Sequence, residues 1–194
     1  HRNLLVAGNF NMTNVKELFQ DLVDVGQHPK LMADTVTVME KIGHFLDDEI
    51  TDLYLDCKNE GLTKLEASPV IAERLNIARI LKRASKNFDG GYAMAGLLGH
   101  GDAFVVRDPN GIRPAYYYQD DEIVVVASER PVIQTVFNVA FEDVKELEAG
   151  DLILKVAQGK EEPLDIAGMR LDDVVKKIKG PKGTEVRLTV KKVD

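Results

Sequence analysis

The chain has no tryptophan and one cysteine, Cys57. A single thiol excludes an internal disulfide and any cysteine-based zinc cluster. No apolar stretch approaches the roughly 18 residues needed to cross a bilayer, and no signal-peptide pattern opens the sequence. Basic residues are in deficit, 25 Lys and Arg against 32 Asp and Glu, a formal net charge of -7. That balance argues against nucleic acid or an anionic membrane surface as the main partner. His28, His44 and His100 lack metal-ligand spacing, so neither a metal nor a cofactor is expected. These absences describe a soluble protein of a reducing compartment.

What is present is ordinary in total and uneven in distribution. With 44% apolar and 29% charged residues, 194 residues can bury the core of one domain, or one plus a fragment. The seven phenylalanines and five tyrosines all lie at or before Phe141, and residues 151–194 contain no aromatic residue. That tail carries ten basic against eight acidic residues, whereas the preceding 150 carry fifteen against twenty-four. Two pieces of different origin are expected. His1 stands almost directly before a strand, which reads as a segment cut from something longer.

The periodicities predict helices followed by an antiparallel meander, an α+β layered arrangement. Leu4, Leu5, Val6 and Ala7 form a short buried strand that ends in a tight turn at Gly8-Asn9. Asn11 or Thr13 caps a helix carrying Val15, Leu18, Phe19 and Leu22, stopped by Gly26. A second helix is predicted over 34–46 and a weaker third over 47–56. Ser68-Pro69 reads as the start of a helix that continues to about Asn87. Four short strands follow, over 92–98, 103–107, 115–118 and 123–127, joined by Gly-His-Gly, Pro-Asn-Gly and Gln-Asp-Asp turns. A brief helix from Pro131, a strand over 152–156, a helix over 171–179 and a strand over 184–191 complete the outline.

Several groups admit a chemical reading beside a plain one. Gly8-Asn9 is either simple turn chemistry or an amide aimed, with a neighbouring backbone N–H, at a developing oxyanion. The segment Asp108-Pro109-Asn110-Gly111-Ile112-Arg113-Pro114 reads as a structural turn. Lys179-Gly180-Pro181-Lys182-Gly183-Thr184 lacks phosphate-loop spacing and follows a helix, so it is a helix stop. Asp47, Asp48, Glu49 and Asp52 read as a solvated helix end rather than a cation site. Nothing beside Cys57 in sequence activates its thiol, and His44 is separated from it by a loop.

Residues 2–150 resemble the glutaminase domain of the amidophosphoribosyltransferases. The resemblance rests on Asn3-Leu-Leu-Val-Ala-Gly-Asn-Phe-Asn-Met-Thr-Asn14, Ala33-Asp34-Thr35, Phe88-Asp-Gly-Gly-Tyr-Ala93, Arg107-Asp-Pro-Asn-Gly-Ile-Arg-Pro114 and Val126-Ala-Ser-Glu129. It implies an N-terminal-nucleophile hydrolase sandwich, two antiparallel sheets between helical layers. It also implies glutamine as ligand, the Asn9 side chain in the oxyanion hole with the Phe10 backbone N–H beside it, and Asp34 holding the glutamine α-amino group. The chain departs from the family at Phe10, where a glycine is usual. It departs again at His1, where the family has a cysteine nucleophile whose own amine accepts the proton. Nothing resembles the phosphoribosyltransferase half. The expectation is a truncated, catalytically inactive glutaminase whose parent is cytoplasmic.

The tail resembles a different family. Gly150-Asp-Leu-Ile-Leu-Lys-Val-Ala-Gln158, Asp165-Ile-Ala-Gly-Met-Arg-Leu-Asp-Asp-Val-Val175 and Ile178-Lys-Gly-Pro-Lys-Gly-Thr-Glu-Val-Arg-Leu188 are similar to the second half of the PDZ domain of tail-specific proteases. This implies a partial β-α-β unit from a periplasmic or envelope protein. Its helix, with Leu171, Val174, Val175 and Ile178, would line a groove for peptide C-termini. The predicted organisation is a partial amidotransferase domain over 1–150 and a partial PDZ-like segment over 151–194, with the seam between about Leu147 and Val156. Peptide binding, or a purely structural or designed chimera, are the alternative readings.

Overall fold

The computed structural model describes residues 2–158 and 186–192, with side chains described through Gly150. Strand β1 spans Leu4–Met12 and pairs antiparallel with β2, Gly90–Leu98, from Leu4↔Leu98 to Met12↔Gly90. The turn expected at Gly8-Asn9 does not form; the strand runs straight through it. Gly8 is required there by packing, because a β-carbon at that position would meet the Ala93 carbonyl and Met94. Strand β3, Ala103–Arg107, follows β2 through a turn closed by the Gly101 N–H donating to Leu98 O.

The remaining short strands do not extend this meander. Strands β4, Tyr116–Gln119, and β5, Val124–Ala127, form a separate sheet with β6, Lys145–Glu146, in the order β5-β4-β6. Strand β7, Asp151–Gln158, returns to the first sheet against β3, and β8, Val186–Lys192, pairs with β7, giving the order β1-β2-β3-β7-β8. Among the described residues every pairing is antiparallel. The helix predicted over 171–179, with Leu171, Val174, Val175 and Ile178, lies outside the described residues.

The alternation along each strand sets the layers. Met12, Tyr92, Met94, Leu98, Phe104 and Val106 share one core with the helices. Ala93 and Val105, on the opposite face, pack with Ala115, Leu147 and Tyr117 of the second sheet's side. On that sheet's outer face Tyr118 stacks on Phe137 of α5, Arg130–Phe137. The order is therefore helices, five-stranded sheet, three-stranded sheet, helix, an α+β sandwich with antiparallel sheets.

The helices differ from the predicted ones where capping overrides periodicity. Helix α1, Val15–Asp24, starts after Asn14, whose side chain does not cap it; Asn14 Nδ2 instead donates to Asn87 O at 2.8 Å. Neither Asn11 nor Thr13 is the cap. Residues 34–56 form one helix rather than two: α2 spans Asp34–Asn59. It contains no proline, Gly43 alone costs only about 1 kcal/mol, and Val38, Ile42, Leu46 and Ile50 recur at four-residue spacing on the buried face. Ser68-Pro69 lies inside α3, Lys64–Arg74. The start is Thr63, whose hydroxyl accepts from the Glu66 N–H while Glu66 Oε2 accepts from the Thr63 N–H, a reciprocal cap. The chain then breaks at Leu75-Asn76, and Asn76 Oδ1 caps α4, Ile77–Ala84, at 2.9 Å from the Arg79 N–H. Among the described residues no helix is long and apolar enough to cross a membrane.

The acidic group on α2 lies mid-helix, not at a helix end, and is met by arginines. Asp47 pairs with Arg2 at 2.6 Å, Asp48 with Arg83 at 3.2 Å, and buried Glu49 with Arg79 at 2.6 Å. Among the described residues no group of three or more His, Cys, Asp or Glu could hold a metal ion.

One ion pair fixes α1 to α2 and carries a pH signature. Buried Lys41 donates to Asp21 Oδ2 at 2.9 Å, and this hydrogen bond, with the ammonium's charge, holds the Asp21 carboxyl below its ordinary value. A carboxyl depressed in the folded state adds stability above its unfolded value near 4, and that stability fades as pH falls through the folded value. Asp21→Asn is expected to lower stability at pH 7 by about 1 kcal/mol, the half-exposed carboxylate being screened by water. The difference from the unaltered chain should close below about pH 4. Urea denaturation of both proteins from pH 3 to 7 measures this.

Candidate functional site

β1 lies at the end of its sheet among the described residues, so one side of its backbone is open. The register shows which groups face that opening. Gly99 N–H donates to Asn3 O and Thr13 N–H to Asp89 O, so the odd-numbered residues of β1 exchange hydrogen bonds with β2. The backbone groups of the even-numbered residues point outward. Met12 confirms the phase, since its N–H donates to Asp34 Oδ2 at 2.9 Å. The Phe10 N–H therefore points toward the open edge, two residues before a carboxylate already seated there.

The side chains follow the opposite phase. Phe10 is half-buried and packs against the helical core, together with Leu4, Val6 and Met12. Asn9 stands on the other face, opposite Ala93, and is exposed. An outward N–H at Phe10 and an amide at Asn9 thus converge on one corner of the sheet. Phe10 does not block its own N–H, because its ring is drawn to the opposite face by the core. Asp34 is the first residue of α2, where the helix N-terminus favours its negative charge. Its half-buried side chain reaches the edge through Met12, and Oδ1 has no protein partner among the described residues.

A buried knot walls the inter-sheet side of this corner. The fully buried Asp108 carboxylate accepts four backbone N–H groups: Asn110 at 3.0 Å and Ile112 at 2.9 Å on Oδ1, Arg113 at 3.0 Å and Tyr92 at 3.3 Å on Oδ2. Arg107 closes the same loop. Its guanidinium donates to Arg113 O at 2.6 Å, Gly111 O at 2.9 Å and Leu147 O, and pairs with Glu146 at 2.8 Å. The loop presses on β2 at Gly91, where a β-carbon would lie 2.7 Å from Ile112 Cγ2. Burial beside the Asp108 charge pushes the Tyr92 phenol up to about 12, so it is neutral in all ordinary conditions.

Thus of the three site residues expected in the body, Asn9 and Phe10 lie on β1, and Asp34, from α2, meets the same strand at Met12. The Arg107–Asp108 knot was expected only as a turn. The signal for it, two charged residues before Pro-Asn-Gly, did not reveal that both charges are buried. Cys57 is elsewhere, completely buried in the helical core and without a disulfide partner.

No family model matches the chain. Over 157 residues it is 33% identical to an amidophosphoribosyltransferase of Methanothermobacter thermautotrophicus, a match covering 81% of this chain and 27% of that protein. Over 80 residues it is 39% identical to a tail-specific protease of Haemophilus influenzae, covering 41% of this chain and 10% of the protease. Among solved structures, a glutamine phosphoribosylpyrophosphate amidotransferase from B. subtilis, complexed with ADP and GMP, superposes with a TM-score of 0.53 at 21% identity. That superposition covers 78% of this chain and 26% of the other, and a second structure, an allosteric regulatory enzyme of purine biosynthesis, gives the same values. The structural likeness shows a shared fold. The chain resembles amidophosphoribosyltransferases over most of its length and a tail-specific protease over part of it, and spans a small share of each.

Proposed function

We propose that the open end of β1 is the glutamine-recognition corner of a glutaminase domain. Asn9 Nδ2 and the Phe10 N–H donate to the side-chain carbonyl oxygen, the atom that gains negative charge when an amide is attacked. Asp34 Oδ1 accepts from the α-ammonium group. The reading is carried by one observation: the Phe10 N–H and the Asp34 carboxylate face the same unpaired strand edge. In the family this corner serves amide hydrolysis, releasing ammonia for transfer to an activated ribose. Within these 194 residues the one thiol, Cys57, is sealed in the helical core, so the chain by itself is assigned recognition without cleavage.

Titration of L-glutamine followed by amide NMR tests this. Saturable shifts are expected at Asn9, Phe10 and Met12, with no ammonia released and no adduct of a glutamine-like diazoketone at Cys57. Asp34→Asn is expected to weaken binding at least tenfold, since a hydrogen bond to a charged group contributes roughly 1.5–3 kcal/mol. Shifts confined to other parts of the chain, or none at saturating glutamine, would overturn the assignment.

The protease match favours a second element in the same chain. We place a seam between about Leu147 and Val156 and read residues 151–194 as part of a peptide-binding module joined to the body. The match, at 80 residues, is longer than that tail and so runs back into the body. β7 continues the body's sheet through Val105↔Ile153 and Val106↔Leu152, which gives the join a physical basis.

A further inference from the structure

We propose that Asn110 is a site of spontaneous deamidation, converted to aspartyl or isoaspartyl acid, and that the Arg107–Asp108 knot gates the conversion. This concerns the loop alone and is independent of the glutamine reading. Asn110-Gly111 is the one Asn-Gly step in the sequence. Asn110 is exposed, and its side-chain amide has no hydrogen-bond partner among the described residues. An asparagine side chain can be attacked by the amide nitrogen of the residue that follows it, and glycine obstructs that attack least because it has no β-carbon. The bond from Gly111 N to Asn110 Cγ forms and the Cγ–Nδ2 bond breaks. Ammonia departs with the proton that Gly111 N gives up, leaving a cyclic imide. Solvent water then opens the imide at either carbonyl. One opening restores the normal backbone with an aspartate side chain, and the other routes the backbone through Cγ as isoaspartate.

The closed loop blocks this step at its nucleophile. The Gly111 N–H donates to Asp108 O at 3.0 Å, closing a β-turn with Pro109 and Asn110 at its centre. The Asn110 N–H donates to Asp108 Oδ1 at 3.0 Å, and Gly111 O accepts from Arg107 Nη2 at 2.9 Å. Gly111 is held at φ +62° by these bonds. With its proton already donated and its peptide plane fixed, the nitrogen cannot turn toward the neighbouring Cγ. Local opening frees it, at less cost than unfolding the whole chain. The rate in the folded protein is therefore the unfolded-chain rate multiplied by the fraction of time the loop is open. Conversion also disfavours closing. Isoaspartate lengthens the backbone by a methylene just before Gly111 O and the Ile112 N–H must meet Arg107 and Asp108. Either product sets a new carboxylate beside the buried Asp108 charge, in a chain already at a formal -7.

The full chain is incubated at mildly alkaline pH in native buffer and, in parallel, in denaturing urea. Peptide mapping by mass spectrometry and labelling with an isoaspartyl methyltransferase follow the conversion, and circular dichroism confirms that the chain in buffer is folded. In urea Asn110 is expected to convert faster than every other asparagine, and in buffer at least about tenfold more slowly than in urea. Glu146→Gln removes the charge paired with Arg107 but keeps the three carbonyl contacts, so this variant folds. It is expected to raise the rate in buffer about twofold or more and to leave the rate in urea unchanged. No conversion at Asn110 in urea overturns the site. Equal rates in buffer and urea overturn the gate, and an unaltered buffer rate in Glu146→Gln overturns the part assigned to Arg107. The isoaspartyl chain, separated by anion exchange, is expected to unfold at lower urea than its parent, and an equal midpoint overturns the claim that the product disfavours closing.

Discussion

Asp108→Asn is expected to destabilise the body by about 3–5 kcal/mol although it changes one atom. The carboxylate is completely buried and accepts four backbone N–H groups, two on each oxygen. An amide in its place retains one acceptor oxygen and turns an NH2 toward two N–H donors. Each buried donor left without an acceptor costs about 1–3 kcal/mol, and the two facing dipoles add repulsion. A loss of this size lowers the melting midpoint by on the order of 10 °C for a chain of this length. Asp120→Asn is the control. Asp120 also accepts two backbone N–H groups, from Glu122 and Ile123, but at the half-exposed β4–β5 hairpin where water replaces a lost bond. It should cost less than about 1 kcal/mol. Urea unfolding of both variants decides, and equal small losses would show that the knot is not what holds the loop.

The second large effect is expected at Arg107. Arg107→Met keeps much of the apolar stem and removes the fork that joins Arg113 O, Gly111 O and Leu147 O to Glu146. Three carbonyls at the junction of the two sheets lose their donor together, and a loss of about 3–5 kcal/mol follows. Arg107→Lys should recover little of it, because an ammonium cannot span acceptors arranged around a planar guanidinium. The double substitution with Asp108→Asn should cost clearly less than the sum of the two, since both act on one loop. Full additivity would mean that the two residues stabilise separate things.

The parts legible in the sequence were those governed by local chemistry. The turns after β2 and β4, the stop at Gly26 and the α5 start at Pro131 depend on residues adjacent in the chain, and the strands β2, β3, β5 and β7 appear within two residues of their expected bounds. What pattern-reading missed depends on partners distant in sequence. Gly8-Asn9 has turn composition, yet nine residues of pairing with β2 hold it extended. Ser68-Pro69 looks like a helix start, but the reciprocal Thr63–Glu66 cap five residues earlier fixes the start first. The split of the meander into two sheets is invisible locally, because it follows from Arg107 and Asp108 turning the chain between β3 and β4. For the site, the resemblance pointed to Asn9, Phe10 and Asp34, and the structure places the first two on β1 and seats the Asp34 carboxylate on the same strand at Met12. The resemblance gave no hint of the buried, unsatisfied Arg113 Nε, which only the folded loop reveals.

The uncharged run from Leu4 to Met12 contains neither lysine nor proline, and among the described residues its outward N–H and C=O groups have no neighbouring strand. Natural sheets usually guard such a border with charge or a bulge, because an unguarded one accepts any extended polypeptide. Under the proposed glutamine reading such a guard would obstruct the Phe10 N–H that the ligand needs. On that reading recognition chemistry and colloidal safety compete for the same peptide groups, and crowding the protein to high concentration is expected to favour fibril-like stacking along this rim over the dispersed form.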